Sequence, residues 1–198
     1  MSLDLDPTAP DHAELLLRYL QRARDALVAN LDGLDDYEVR RPMTPSGTSL
    51  LGLVKHTASV EIGYLGDCAG RPFGEDLPWD TEEGNQENAD MWARADESRE
   101  FLLDLYRRSW AHADATVREL GLDAPAEVPW WPEERRRTTV GWLVVHMLEE
   151  TAQHAGQADV VRESIDQRGG KDHDEVGDDA WWEAYVARIQ AEADQHRT

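Results

Sequence analysis

A stripe of side chains between residues 139 and 167 restricts the possible folds more than any other feature of the sequence. Its members are spaced by four, three, four, three and four residues: Leu143, Met147, Glu150, His154, Gln157 and Val161. This spacing predicts the core-facing side of a long helix in a bundle. The middle turns are polar, however, and burying polar groups without partners is costly. Glu150 and His154 lie one helical turn apart, so both side chains can reach a single ion.

Four further segments have the apolar period of a helix. These predicted helices cover residues 11–34, a segment from 48 or 49 to between 66 and 70, residues 96–120 and residues 178–195. Long loops are expected at residues 71–88 and 123–137, and no segment alternates with the period of a β-strand. We therefore predict an all-α fold, an antiparallel four-helix bundle with a long crossover loop and an extra C-terminal helix. Residues 1–170 would form the bundle, and residues 171–198 an acidic linker and a C-terminal helix packed on or beside it.

The composition excludes several classes of function. Among 198 residues, 41 are Asp or Glu and 20 are Lys or Arg, which gives a formal net charge of −21. This charge argues against nucleic acid or an anionic membrane as the main partner. No apolar run approaches the roughly 20 residues that span a bilayer, and residues 1–13 lack a signal pattern. The single cysteine, Cys68, excludes an internal disulfide and fits a reducing cytosol, so we expect a cytoplasmic protein.

A second inward-facing stripe adds a histidine to the candidate metal site. It follows the second predicted helix through Ser49, Leu53, His56, Val60 and Gly63. Because bundles build metal sites from side chains on facing helices, we predict that His56, Glu150 and His154 bind one divalent cation. Two imidazoles and a carboxylate suit Zn²⁺ and leave one position for water or substrate. The same trio with more open positions suits Fe²⁺.

Two alternatives to this ligand set stay open. A histidine on an apolar stripe is often a hydrogen-bonded core residue that binds no metal. The third ligand can also be His146, which lies one turn before Glu150 but beside Val144 and Val145. In the preferred assignment, His146 is a donor behind the ligands or a residue at the edge of the helix face.

Two segments give the chain a resemblance to a known family. They are residues 44–56, TPSGTSLLGLVKH, and residues 147–159, MLEETAQHAGQAD. With these motifs the chain resembles the DinB-like superfamily, and more narrowly the DinB-like mycothiol transferases, a branch once catalogued as a domain of unknown function. The likeness extends from the first helix to about Glu163. It implies a four-helix bundle that holds a divalent metal, commonly zinc or nickel.

The resemblance also bears on the ligands. Many members use three histidines, whereas Glu150 stands at the middle position here, as in the His/Glu/His zinc arrangement of the similar mycothiol-dependent maleylpyruvate isomerases. The branch often has His where this chain has Gln157. Those isomerases carry a further C-terminal domain for which this chain has no room, so isomerase activity is not expected.

The expected chemistry is activation of a thiol. Cys68 is isolated, so a small-molecule thiol would supply the nucleophile and the metal would lower the pKa of that thiol. Our main hypothesis is a zinc-dependent thiol S-transferase that activates mycothiol or a similar thiol for attack on an electrophilic small molecule. One alternative is a hydrolase with a metal-bound water and Glu149 or His146 as the base. The other is a non-catalytic, stress-related protein that binds a metal.

Aromatic and basic residues in the loops and the last helix allow several interpretations. Residues 135–137 are consecutive arginines that either attract acidic groups of a ligand or form a solvated basic run. The indoles of Trp79, Trp130 and Trp131 either line a pocket or pack the loops onto the bundle. Trp181 and Trp182 lead a helix that covers the bundle or a partner, such as the second copy in a homodimer.

Overall fold

Long helices form most of the protein. The structure is a computed structural model, and it describes residues 11–81, 87–168 and 173–197. In chain order its elements are α1 (His12–Ala29), α2 (Asp36–Arg40), α3 (Leu50–Ile62), α4 (Arg99–Leu120), β1 (Pro125–Glu127), α5 (Glu133–Arg136), β2 (Arg137–Thr139), α6 (Val140–Asp166), α7 (His173–Val176) and α8 (Asp179–Asp194). The chain continues from α3 into a π-helical turn at Gly63–Asp67, and a 3₁₀ turn at Ala89–Met91 precedes α4.

Polar side chains cap the long helices at the predicted starts. The carboxylate of Asp11 accepts a hydrogen bond from the backbone N–H of the second residue of α1 at 2.9 Å. The hydroxyls of Ser49 and Thr139 accept from the third residues of α3 and α6. Each such cap is worth about 1 kcal/mol. At the other end of α4, Gly121 has a φ of 79°, a left-handed conformation that glycine adopts without strain and that stops the helix.

The four long helices pack around two apolar clusters. α1 lies against α6 and α4, and α3 also lies against α4 and α6. One cluster contains Leu27, Leu53 and Leu105, and the other contains Leu20 and Met147. Burying each of these side chains contributes about 1.5–3 kcal/mol. The predicted all-α bundle is confirmed.

Several features differ from the sequence-based prediction, among them the limits of two helices and a small sheet. The first helix ends at Ala29 and not near residue 34, because Asn30 stops it and its side-chain amide donates to Asp159 of α6 at 2.8 Å. The helix expected from residue 96 begins at Arg99, after its cap Ser98. The loop at residues 123–137 contains most of a small antiparallel sheet, β1 with β2. Its strands have three residues each, too few to show an alternating pattern.

Charged side chains also lie inside the bundle, and no sequence pattern predicted them there. The guanidinium of Arg24 is fully buried and donates to both carboxylate oxygens of Glu61, at 2.6 and 3.1 Å. It also contacts Asp114 at 2.9 Å. Lys55 is fully buried as well, and its ammonium group lies 2.8 Å from the carboxylate of Glu97. In each buried pair the opposite charges lie so close together that their attraction offsets part of the cost of removing them from water.

The C-terminal helix α8 contributes no buried residue, and its Trp181 remains 42% exposed. The predicted boundary at residue 170 lies outside the described residues, so the division of the chain there stays a prediction. In the described part of the chain, no helix combines the length and the apolar character needed to cross a membrane.

Candidate metal centre

Three side chains from two helices converge on one point at the side of the bundle. Nε2 of His56 lies 4.0 Å from Oε1 of Glu150, and Nε2 of His154 lies 3.8 Å from the same oxygen. The two imidazole rings are 4.9 Å apart between centroids and nearly perpendicular. One potential donor atom from each residue lies within 4.8 Å of the other two. The structure therefore brings together the three residues that the sequence singled out as metal ligands.

The helices explain this convergence. Glu150 and His154 are four residues apart on α6, so both project from the same side of that helix. His56 comes from α3, which packs against α6. The exposed fractions of the three side chains are 17% for His56, 30% for Glu150 and 13% for His154.

The site is therefore partly open to solvent. The expectation that the polar part of the stripe faces the core was wrong: Leu143, Met147 and Val161 are buried, whereas Gln157 is exposed.

A carboxylate fixes the orientation of the first imidazole. Nδ1 of His56 lies 2.6 Å from Oδ2 of Asp90, a residue of the 3₁₀ turn between α3 and α4. The hydrogen bond from His56 lowers the pKa of Asp90, so this carboxyl is an anion that accepts the Nδ1 proton. Nε2 is then the ring nitrogen that faces Glu150, the arrangement in which a carboxylate orients a metal-binding histidine.

An amide performs the same task for the second imidazole. Nδ1 of His154 donates a hydrogen bond to Oε1 of Gln157 at 2.9 Å. Burial lowers the pKa of His154, and the nearby His56 acts in the same direction. The neutral ring therefore presents the lone pair of Nε2 toward Glu150. Gln157, where the DinB-like mycothiol transferases often have His, orients His154 here and is not one of the three clustered donors.

The segment that carries Asp90 is held against α3 by buried contacts. Nζ of Lys55 donates to the carboxylate of Glu97 at 2.8 and 2.9 Å and to the backbone oxygen of Trp92 at 3.0 Å. A close approach to Gly52 makes this possible, because a Cβ at that position would lie 2.1 Å from the backbone oxygen of Met91. Asp90 and its supports lie far from His56 along the chain, and no pattern in the sequence pointed to them.

The donor set fits a divalent cation. Ligand atoms about 2.1 Å from a tetrahedral ion are about 3.4 Å apart. Here the two distances to the carboxylate oxygen are 3.8 and 4.0 Å, and all three donor atoms lie within 4.8 Å of one another. An inward movement of the three partly exposed side chains would close the difference. Two neutral imidazoles and one carboxylate would leave a bound divalent ion with a net charge near +1.

The rival ligand His146 lies in a different environment. The group of clustered donors found among the described residues contains His56, Glu150 and His154 but not His146. Instead the ring of His146 packs edge-on against Tyr64, at 4.6 Å between centroids, and against Trp131 at 5.3 Å.

Other residues considered from sequence fall outside the group. Glu149 is exposed and accepts a hydrogen bond from Gln153 at 3.0 Å. Trp79 is 1% exposed and packs in the core. Cys68 is a buried free thiol whose pKa is raised to about 11 by burial, in agreement with a packing role.

Comparisons with known proteins agree with these features. A family model described as mycothiol-S-transferase matches residues 15–167. A crystal structure from Enterococcus faecalis, described as the conserved protein of a locus, superposes with a TM-score of 0.61 at 20% sequence identity. The superposition covers 81% of this chain and 100% of that one, and at this identity it shows a shared fold alone. No curated protein sequence matches the chain.

Proposed function

The chain belongs to the mycothiol-S-transferase family, a DinB-like family, and on that premise we propose that it is a metal-dependent thiol S-transferase. Its co-substrate would be a low-molecular-weight thiol such as mycothiol, and its second substrate an electrophilic small molecule. The observation that carries the proposal is the convergence of His56, Glu150 and His154 with the Nε2 atoms of both imidazoles directed at the carboxylate.

These three residues would hold the cation. Three nitrogen and oxygen donors with a remaining open position are typical of catalytic zinc, so Zn²⁺ is the proposed metal, although Ni²⁺ and Fe²⁺ accept the same donors. When bound, the cation supplies a positive centre that lowers the pKa of an incoming thiol.

The protein's own side chains would prepare the site. Asp90 and Gln157 accept hydrogen bonds from Nδ1 of the two histidines, so each ring is oriented with Nε2 toward Glu150 before any ligand arrives. The partial exposure of the three donors leaves room for a substrate at the open position. Cys68 is buried and its thiol stays protonated at neutral pH, which supports an external thiol as the nucleophile.

Metal titration of three single variants tests the ligand assignment. We expect zinc to bind at one equivalent and to lose most of its affinity in His56→Ala, His154→Ala and Glu150→Gln. Glu149→Gln is the matched control, because it removes the neighbouring exposed carboxylate and should bind zinc like the parent protein. Parent-like binding by Glu150→Gln would refute the assignment. If His146→Ala lost zinc binding while Glu150→Gln kept it, His146 would be the third ligand in place of Glu150.

Cobalt substitution then tests the reaction class. Co²⁺ at this site should give an intense near-ultraviolet band, sulfur-to-metal charge transfer, when mycothiol or another small thiol is added. Consumption of an electrophile only in the presence of thiol would support transfer over hydrolysis. A cobalt spectrum that does not change when any thiol is added would overturn the transferase proposal. Hydrolysis of the electrophile without a thiol would favour the water-activating alternative.

A further inference from the structure

A cleft of about 820 Å³ runs along the start of α6. Its walls are the first turns of α6 and the segment at residues 131–139 that leads into the helix. The proposed metal ligands are not part of its lining, but His146 and Glu149 are, and they lie one helical turn and one residue before Glu150. The volume is within the range of sites for small organic ligands.

One side of the cleft is an aromatic wall formed by Trp131 and His146, and rings behind the lining hold it in place. The hydroxyl of Tyr64 accepts hydrogen bonds from the indole N–H groups of both Trp130 and Trp131, each at 3.2 Å. Trp131 and Tyr64 in turn pack edge-on against His146. Because these rings hold one another in place, a flat ligand could stack on them with little loss of side-chain freedom.

Apolar surface in the cleft lacks a protein partner. Trp142 lines the cleft and is 67% exposed, and Val145 beside it is 48% exposed. Exposed apolar side chains gathered in a concave surface are typical of a ligand site. An aromatic or otherwise unsaturated ligand body would cover both side chains.

Two of the four charged residues that line this cleft are arginines. Arg135 and Arg137 line it, and among the described residues neither forms an ion pair. The carboxylates of Glu134 and Glu149 also line it, but Glu149 is engaged by Gln153. By contrast, the charged residues that line a cleft of about 670 Å³ elsewhere on the described surface are all acidic. Two unpaired guanidinium groups are suited to bind one carboxylate.

We propose that this cleft binds the electrophilic co-substrate, and that this electrophile is an anion with a planar, apolar body. That the bound anion is the electrophile rests on the proposed function, whereas the class of ligand follows from the residues that line the cleft. The aromatic wall would hold the body, and Arg135 and Arg137 would hold the anionic group, with the reactive carbon directed along α6 toward Glu150.

Calorimetry on the full chain without metal tests the ligand class. The probe is 2-naphthoate, and 2-naphthamide is the neutral probe of the same shape. We expect naphthoate to bind at one site about tenfold or more tightly than naphthamide. The double variant Arg135→Gln/Arg137→Gln should remove that preference, and Trp142→Ala should weaken both probes. Arg107→Gln, which changes an exposed arginine of α4 outside the cleft, is the matched control and should behave like the parent protein.

The outcomes separate this inference from the proposed function. Equal binding of the two probes, or binding that survives in the double variant and in Trp142→Ala with their helical content intact, overturns the inference. If the parent protein nevertheless shows thiol ligation to cobalt, the proposed function stands without the inference about the cleft. If naphthoate binds as expected but neither metal nor thiol is bound, the cleft stands as an anion site and the transferase proposal fails.

Discussion

Replacing Gly52 by alanine should weaken metal binding although Gly52 cannot itself bind a metal. Gly52 lies on α3, one turn before His56, where the backbone of Met91 crosses the helix. A Cβ added at Gly52 would lie 2.1 Å from the backbone oxygen of Met91 and 2.8 Å from Oγ of Ser49. The serine hydroxyl can rotate away. The backbone oxygen cannot, so the segment that carries Asp90 has to move.

The structure gives the size of that movement. Raising the separation from 2.1 Å to 3.4 Å, the onset of ordinary contact, requires a shift of about 1.3 Å. Transmitted to the neighbouring Asp90 along its contact with His56, this shift would lengthen that contact from 2.6 Å to as much as about 3.9 Å, beyond the range of a hydrogen bond. Loss of the group that orients a metal-binding histidine typically costs about 10–100-fold in affinity, or about 1.4–2.8 kcal/mol.

Competition against a chelator of known affinity measures the zinc dissociation constant, and urea denaturation of the metal-free protein measures stability. Gly63→Ala is the matched control, since Gly63 closes the same helix with a φ of −62° and a Cβ there meets nothing within 4 Å. That variant should bind zinc like the parent. Asp90→Asn removes the charge without the steric clash and should reproduce the loss seen in Gly52→Ala.

A folded Gly52→Ala protein with parent affinity would refute the reasoning. If Asp90→Asn lost zinc affinity in the same experiment, the segment that contains Met91 would have adjusted to the new Cβ without moving Asp90. If both variants bound like the parent, the contact between Asp90 and His56 would not govern the site.

Three further predictions follow from contacts described above. Gln157→Leu should lower zinc affinity about tenfold by removing the acceptor for His154, as the same competition assay would reveal; an unchanged dissociation constant would contradict this role. Cys68 should resist alkylation in the native protein at pH 8 and react after unfolding, because burial raises its thiol pKa to about 11; rapid labelling of the native protein, followed by mass spectrometry, would argue against that burial. Glu61→Leu should destabilise the fold by about 3–5 kcal/mol in urea denaturation because it leaves Arg24 buried without its main partner, whereas Arg24→Met/Glu61→Leu should recover most of the loss; equal losses in both variants would show that the unpaired charge is not the cause.

Local signals in the sequence predicted much of the fold. Asp11, Ser49 and Thr139 begin helices as predicted, because a cap bonds to a backbone group two or three residues away. Gly121 ends α4 for an equally local reason, its backbone conformation. α2 was missed although it carries a capping box, because its five residues are too few to establish an apolar period.

The proposed ligands were accessible from sequence for a related reason. Glu150 and His154 share one helical face, and His56 interrupts an otherwise apolar stripe, so periodicity alone marked all three. Asp90 could not be found in this way, since it lies in a connection whose path depends on tertiary contacts. Acids and bases that pair inside the bundle, such as Arg24 with Glu61, were likewise indistinguishable from the many solvated charges of this sequence.

The distribution of the three donors over two helices has a mechanical consequence. α6 contributes a pair one turn apart and α3 contributes a single imidazole. A cation bound by all three side chains would link two positions of α6, Glu150 and His154, to one position of α3, His56. Shear of α6 past α3, even by a fraction of the 5.4 Å helical pitch, would then have to break a coordinate bond. Loaded and metal-free protein should share a fold but differ in stiffness along this seam, so that slowed amide exchange there would report occupancy.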